Sequence, residues 1–330
     1  MWRDLNSVFV ARFYTPFMIF SHNSYILSSI IAGLIGFTGI WKLYKTLCKI
    51  YPGIEKQLAI AVLYFPSLIY WSSGILKDTL TISAIGWIIY AFYEFFILKS
   101  FKLKYVLYLF IASTVIIQIK AYIFAALLPG LFIWVFFRQI KTIKSQVLKI
   151  LIAPIILLVL VFAFSFLMNK VSKSMGDYGD LDSSLKRAQI IQQDLIRSEQ
   201  YGHNFYDIGE FDATPTGILS KAPIAILSGV FRPFIWEASN PFILLAGLES
   251  LFLMIFLAYC IYKVGVLKFF VNVFKDPLLV FSFSFVIIFG FGVGLATANF
   301  GALVRYKFPL LPFFVTSLFV LSKEFKSSEK

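Results

Sequence analysis

The run "PLLVFSFSFVIIFGFGVGLAT", residues 277–297, decides the fold class. It contains no charged side chain, and a helix needs about 20 such residues to cross about 30 Å of hydrocarbon. Comparable runs recur along the chain. Of its 330 residues, 59% are hydrophobic and 19% aromatic, and only 14% are charged. A soluble domain carries nearer a quarter charged residues. The composition therefore predicts an all-α, polytopic integral membrane protein.

Working outward from that run, hydropathy predicts nine spans, near 23–41, 57–75, 79–98, 105–119, 121–137, 148–168, 241–262, 277–297 and 303–321. The fourth and fifth are short and meet at Lys120, which predicts a tight hairpin. Residues 6–20 alternate apolar and polar positions around Pro16 and read as a helix lying in the membrane interface. The organisation is then an interfacial segment at 1–22 and six spans within 23–168. A long extracytoplasmic loop follows at 169–240, then three spans within 241–322 and a tail at 323–330. Within the loop, "LDSSLKRAQIIQQDLIRSEQ" reads as an amphipathic helix with Ser183 or Ser184 as its cap.

Charge sets the orientation. The segments 42–56, 99–104, 138–149, 263–275 and 323–330 hold 4, 3, 4, 3 and 3 basic residues and fall on one side, the cytoplasm by the positive-inside rule. The N-terminus is then outside and the C-terminus inside. Sixteen of those 17 basic residues are lysine, and Arg138 is the exception. The other arginines, Arg3, Arg12, Arg187, Arg197, Arg232 and Arg305, fall on the outer side or its interface. Lysine suffices as a topogenic charge, whereas arginine offers a planar fork that grips phosphate or carboxylate. The net charge of +13 does not imply nucleic acid, because there is no basic cytoplasmic domain. Cys48 and Cys260 are isolated, and His22 and His203 are too far apart to suggest a zinc site.

Several polar residues stand out of the apolar background. In "SSGILKD", Lys77 and Asp78 form a cation–anion pair at the tip between two expected spans, with Pro66 opening space beneath it. Helix capping alone would explain both charges. The functional reading has them facing a shared outer cavity. Lys120 is a second tip charge, either a snorkelling lysine or a phosphate contact. In "GVFRPFIWEASNPFILLAGLES", Arg232 and Glu237 precede a span, and Glu249 lies about 12 Å inside it. An acid at that depth is costly and marks a site or a structural ion pair. Arg305 and Lys307 precede Pro309 and Pro312 in the last span. The outer-loop acids Asp177, Asp180, Asp182, Asp194, Glu199, Asp207, Glu210 and Asp212 read mainly as a solvated surface. Lys77, Asp78, Lys120, Arg232, Glu249 and Arg305 are expected to line one outer cavity.

With one long outer loop, unusual charges on the outer side and a final "RYKFPLLPF" helix, the chain resembles two related groups. They are the multi-pass C-type glycosyltransferases, which use polyprenyl-phosphate sugars, and the O-antigen or exopolysaccharide polymerases. In the first group outer-loop acids follow a first span, and Asp4 with the interfacial stretch at 6–20 would be the remnant of that arrangement; Arg187 and Arg197 meet the polymerase pattern only loosely. The resemblance implies an enzyme of the bacterial inner membrane that builds cell-surface glycans at the extracytoplasmic face. Its partners would be membrane lipids and a glycan on polyprenyl phosphate or diphosphate. Lys77, Lys120, Arg232, Arg305 and Lys307 would then hold the carrier, and Asp78, Glu237 or Glu249 would deprotonate the acceptor. No cofactor is expected, although carboxylates near a diphosphate could recruit a divalent cation. The rival reading is a transporter or flippase of an anionic lipid or solute.

Overall fold

The computed structural model describes residues 5–142, 205–209, 212 and 214–328. The helices are α1 Leu5–Phe20, α2 Tyr25–Ile50, α3 Glu55–Val62, α4 Pro66–Ser72, α5 Lys77–Phe92 and α6 Leu103–Thr142. After the undescribed stretch come α7 Pro215–Ser220, α8 Ala222–Phe231, α9 Pro241–Val264, α10 Val266–Lys275, α11 Pro277–Ala296, α12 Phe300–Lys307 and α13 Leu311–Ser328. Among the described residues the only β pairing is an isolated bridge between Phe205 and Asn299. The chain packs as two units, Met1–Phe124 and Ala125–Lys330.

The first unit is organised by α2 and α5, which run parallel. Glycine brings them into backbone contact. A Cβ on Gly36 would strike Thr79, one on Gly39 would strike the Ser83 carbonyl, and one on Gly86 would strike the Gly39 carbonyl. Small residues serve this purpose in lipid, where no hydrophobic force drives helices together and dispersion depends on close approach. The first half of α6 returns antiparallel along α5. Tyr108 packs on Trp87, Tyr105 on Tyr90, and Lys120 reaches Asp78. α1 closes one end, burying Val10 and Tyr14 against Ala32, Leu80 and Ile119.

Two breaks interrupt the helices. The run 57–75 is two short helices rather than one crossing. Pro66 has no amide hydrogen and disfavours helical backbone in the residue before it. Phe65 is accordingly extended, at φ −71° and ψ 126°, and the helix stops at Val62 and restarts at Pro66. A cavity of about 190 Å³ lies between this break and α2, lined by Phe37, Ile40, Leu63, Leu68, Ser72 and Ser73 among others. The fourth and fifth runs are two helices that meet where expected, the 40-residue element being broken at Lys120, at φ −148° and ψ 69°. Unbroken, that element would measure about 60 Å, twice the hydrocarbon thickness. No Gly or Pro stands at the junction, so a single residue makes the break and no loop intervenes.

The second unit repeats the glycine device. A Cβ on Gly229 would strike the Gly290 carbonyl, and one on Gly294 the Ala225 carbonyl, so α8 and α11 touch backbone to backbone. The expected loop 169–240 therefore ends in an apolar helix packed on a span, because "APIAILSGVF" carries its small residues on one face. Phe281 and Phe285 of α11 pack edge-on against Phe313 of α13, and Trp134 stacks on Phe281. α12 and α13 are joined by a 3-10 turn, Phe308–Leu310, that absorbs Pro309.

Among the described residues, six helices are long and apolar enough to cross a membrane: Tyr25–Ile50, Lys77–Ile97, Leu103–Gln139, Pro241–Val264, Pro277–Ala296 and Phe300–Lys323. The chain is thus a multi-pass helical membrane protein. The expected span 148–168 and the helix expected near 181–200 lie outside the described residues. α2 also runs past its expected end at 41, so Lys42, Lys45 and Lys49 sit on helix rather than in a loop. Their aliphatic stems can lie along the helix while the ammonium groups find partners. Lys42 lies over Trp87 and Tyr90, and Lys49 pairs with Glu94.

Candidate functional site

The residues expected to share one cavity divide between the two units. In the first, Lys77 and Asp78 form the opening turn of α5 rather than a loop tip, with Leu76 as the cap. Asp78 is fully buried, and its partner is Lys120, at 2.5 Å from Nζ to Oδ1. Lys77 is half-buried. An acid in the first helical turn is favoured by the helix dipole. The Thr79 hydroxyl donates to the Gly74 carbonyl and the Tyr14 hydroxyl to the Leu76 carbonyl, so the "SSGILKD" turn is tied down from both sides. Burial pushes the Tyr14 hydroxyl above its ordinary range, and the neighbouring Asp78 charge adds to that.

At the opposite end of α5 lies a buried acid that sequence reasoning passed over. Glu94 sits in a π-helical turn, Tyr93–Ile97. It pairs with Lys49 at 2.6 Å and accepts a hydrogen bond from the Tyr105 hydroxyl at 3.2 Å. The signal was available, because "YEFFIL" places an acid in an apolar run as surely as the segment around Glu249 does. With both carboxylate oxygens satisfied, Glu94 fastens α2, α5 and α6 together.

The second unit holds the richer cluster. Arg232 follows α8 and is sandwiched between aromatic rings. Its guanidinium carbon lies 5.0 Å from the Tyr206 ring centre and 5.7 Å from that of Phe234. The stack continues in both directions. Tyr206 packs on Phe300 with centroids 5.6 Å apart, and Phe234 stacks on Trp236 at 4.8 Å. The series runs from a buried phenylalanine to a tryptophan that is 77% exposed.

Glu237 fixes the arginine. One carboxylate oxygen lies 3.3 Å from Arg232 Nε, and the other accepts the Phe234 amide at 2.8 Å. Lys307 is fully buried at the end of α12 and donates to the Arg232 carbonyl and to Ser250 Oγ, each at 2.8 Å. Glu249, next to Ser250 and half-buried, lies near enough to Lys307 for the two charges to interact. Tyr206 donates to the Gly294 carbonyl, and its oxygen lies 3.1 Å from Thr297 Oγ1. Burial raises its hydroxyl above the ordinary range, and Arg232 pulls the other way. Arg305 is half-buried on α12, two residues before Lys307.

The structure therefore brings Arg232, Glu237, Glu249 and Lys307 together, and adds Tyr206, Phe234 and Ser250, which sequence reasoning did not place there. After Nε is engaged, Arg232 Nη1 remains buried with no hydrogen-bond partner. A buried, rigidly stacked guanidinium with a donor still to give is suited to an oxyanion. Among the described residues, no three His, Cys, Asp or Glu side chains converge as a metal site. No protein-family model, no curated protein and no solved structure matches this chain.

Proposed function

We propose that this protein is a membrane-embedded enzyme that transfers or polymerises sugars carried on polyprenyl phosphate. Its place would be the extracytoplasmic face of a bacterial inner membrane. The observation that carries the reading is Arg232: stacked on Tyr206 and Phe234, fixed through Nε by Glu237, and left with Nη1 unpartnered. In this role the guanidinium binds the carrier's phosphate and stabilises it as it departs. Arg305 supplies a second cation. Glu249, which lies beside Ser250 and near the Lys307 charge, takes the proton of the acceptor hydroxyl. Lys307 is a positioning residue that holds the Arg232 carbonyl.

A second reading, a flippase of an anionic lipid, is favoured by the broken helices at Pro66 and Pro309, since discontinuous helices recur in transporters. One experiment separates the two. Purified full-length protein is reconstituted with polyprenyl-diphosphate-linked oligosaccharide, and product length and lipid translocation are followed together. The enzyme reading expects longer glycans from wild type and none from Arg232→Ala. Translocation without glycan growth would replace it with the flippase.

A further inference from the structure

We infer that α10 is an in-plane helix that docks on an anionic lipid surface, at the end of the second unit opposite Arg232. The helix joins α9 to α11 with almost no linker. Gly265, at φ 80°, closes α9 and opens α10, and Asp276 caps α11 through the amides of Leu278 and Leu279. Both neighbours are long enough to cross a membrane, so α10 is pinned where their ends leave it.

Its side chains fall into three stripes, read at 100° per residue. Phe269 and Val273 are buried in the protein, with Phe269 5.9 Å from Phe283 of α11. Leu267, Phe270, Val271 and Phe274 form a second apolar stripe that is exposed, with Leu267 at 80%. Lys268 and Lys275 share the remaining face with Asn272. Residues 263–275 contain Lys263, Lys268 and Lys275 and no acid.

A helix that is apolar over more than half its circumference and lysine-bearing on the rest matches the boundary between acyl chains and headgroups. The exposed stripe enters the acyl region, and the lysines reach phosphate. Charge complementarity selects anionic headgroups over neutral ones, at about 1 kcal/mol or roughly fivefold per lysine.

The test uses the full chain with Cys48→Ser and Cys260→Ala, each variant checked for monodisperse elution. Single reporter cysteines are placed at 268, 270, 274 and 275 and carry an environment-sensitive fluorophore. The protein is reconstituted in phosphatidylcholine vesicles with and without phosphatidylglycerol. Reporters at 270 and 274 should be quenched by brominated acyl chains, and those at 268 and 275 by aqueous iodide. Iodide quenching at 274 as strong as at 268 would overturn the proposal. So would shielding of 270 and 274 from both quenchers, which would mean that protein covers the stripe. At 274, brominated phosphatidylglycerol should outcompete brominated phosphatidylcholine. That preference should fall about fivefold in Lys268→Gln and again on adding Lys275→Gln. Equal quenching by the two lipids with both lysines present would remove the anionic preference.

Discussion

What each charged residue can do depends on the partner that holds it. Arg305→Lys keeps the charge but loses the two-pronged geometry. If Arg305 grips phosphate, glycan output should fall roughly ten- to hundred-fold, matching a charge-assisted hydrogen bond of about 1.5–3 kcal/mol. Output at wild-type level with protein matched by immunoblot would make Arg305 an anchor. Tyr206 separates ring from hydroxyl. Tyr206→Phe keeps the surface under Arg232 and loses the bonds to Gly294 and Thr297, about 1 kcal/mol each, so turnover should persist while thermal stability drops. Tyr206→Ala should impair both. Because burial raises the Tyr206 hydroxyl, the fold gains from its neutral form below the ordinary tyrosine pKa of about 10 and loses that gain only as pH climbs above it. Unfolding followed from pH 7 upward should show no loss from this group before that point. The sequence made Arg232, Glu237, Glu249 and Lys307 visible, because charges within or beside apolar runs are conspicuous. It could not show their pairings. Asp78 stands next to Lys77 in the sequence, yet it pairs with Lys120, 42 positions away.

At the scale of the element, two joints carry most of the architecture. The Asp78–Lys120 pair is buried, so breaking it from one side strands a charge. Lys120→Met should destabilise the protein by about 3–5 kcal/mol, and Asp78→Leu with Lys120→Met should recover much of that. Melting in detergent, compared across wild type, Asp78→Leu, Lys120→Met and the double variant, would show the coupling. Equal losses for the single and double variants would mean that the pair is not the joint. The glycine contacts make a second prediction. Gly39→Leu drives a side chain into the Ser83 carbonyl and should separate α2 from α5, whereas Gly33→Leu, with open space around its Cβ, should be silent. Long apolar helices such as α9 and α11 were legible because composition alone specifies them. The breaks were less so. Pro66 was visible, but whether a proline kinks a helix or ends it depends on the residue before it. At Lys120 no local signal distinguished a loop from a one-residue break. The π-helical turn holding Glu94 left no mark in the hydropathy.

Each unit has a lysine-bearing end set apart from its candidate-site residues. In the first, Lys42 and Lys49 lie at the Glu94 end of α5, away from Asp78 and Lys120. In the second, Lys263, Lys268 and Lys275 follow the far end of α9 from Arg232 and Glu237. The proposed orientation puts the lysine ends in the cytoplasm, where they hold topology, and the arginine end where carrier-linked glycans are joined. Cysteine labelling in intact cells with an impermeant reagent should then mark position 236 and spare position 45. The reverse pattern would invert the molecule. The claim on which everything else depends is that Arg232 binds a phosphate. The most direct measurement is the affinity of purified full-length protein in nanodiscs for polyprenyl phosphate against the uncharged polyprenol, in wild type and Arg232→Lys. Wild type should prefer the phosphate, and Arg232→Lys should weaken its binding about tenfold or more while leaving polyprenol binding unchanged. Equal affinity for the two lipids, or a lysine variant that binds phosphate as wild type does, would contradict that claim.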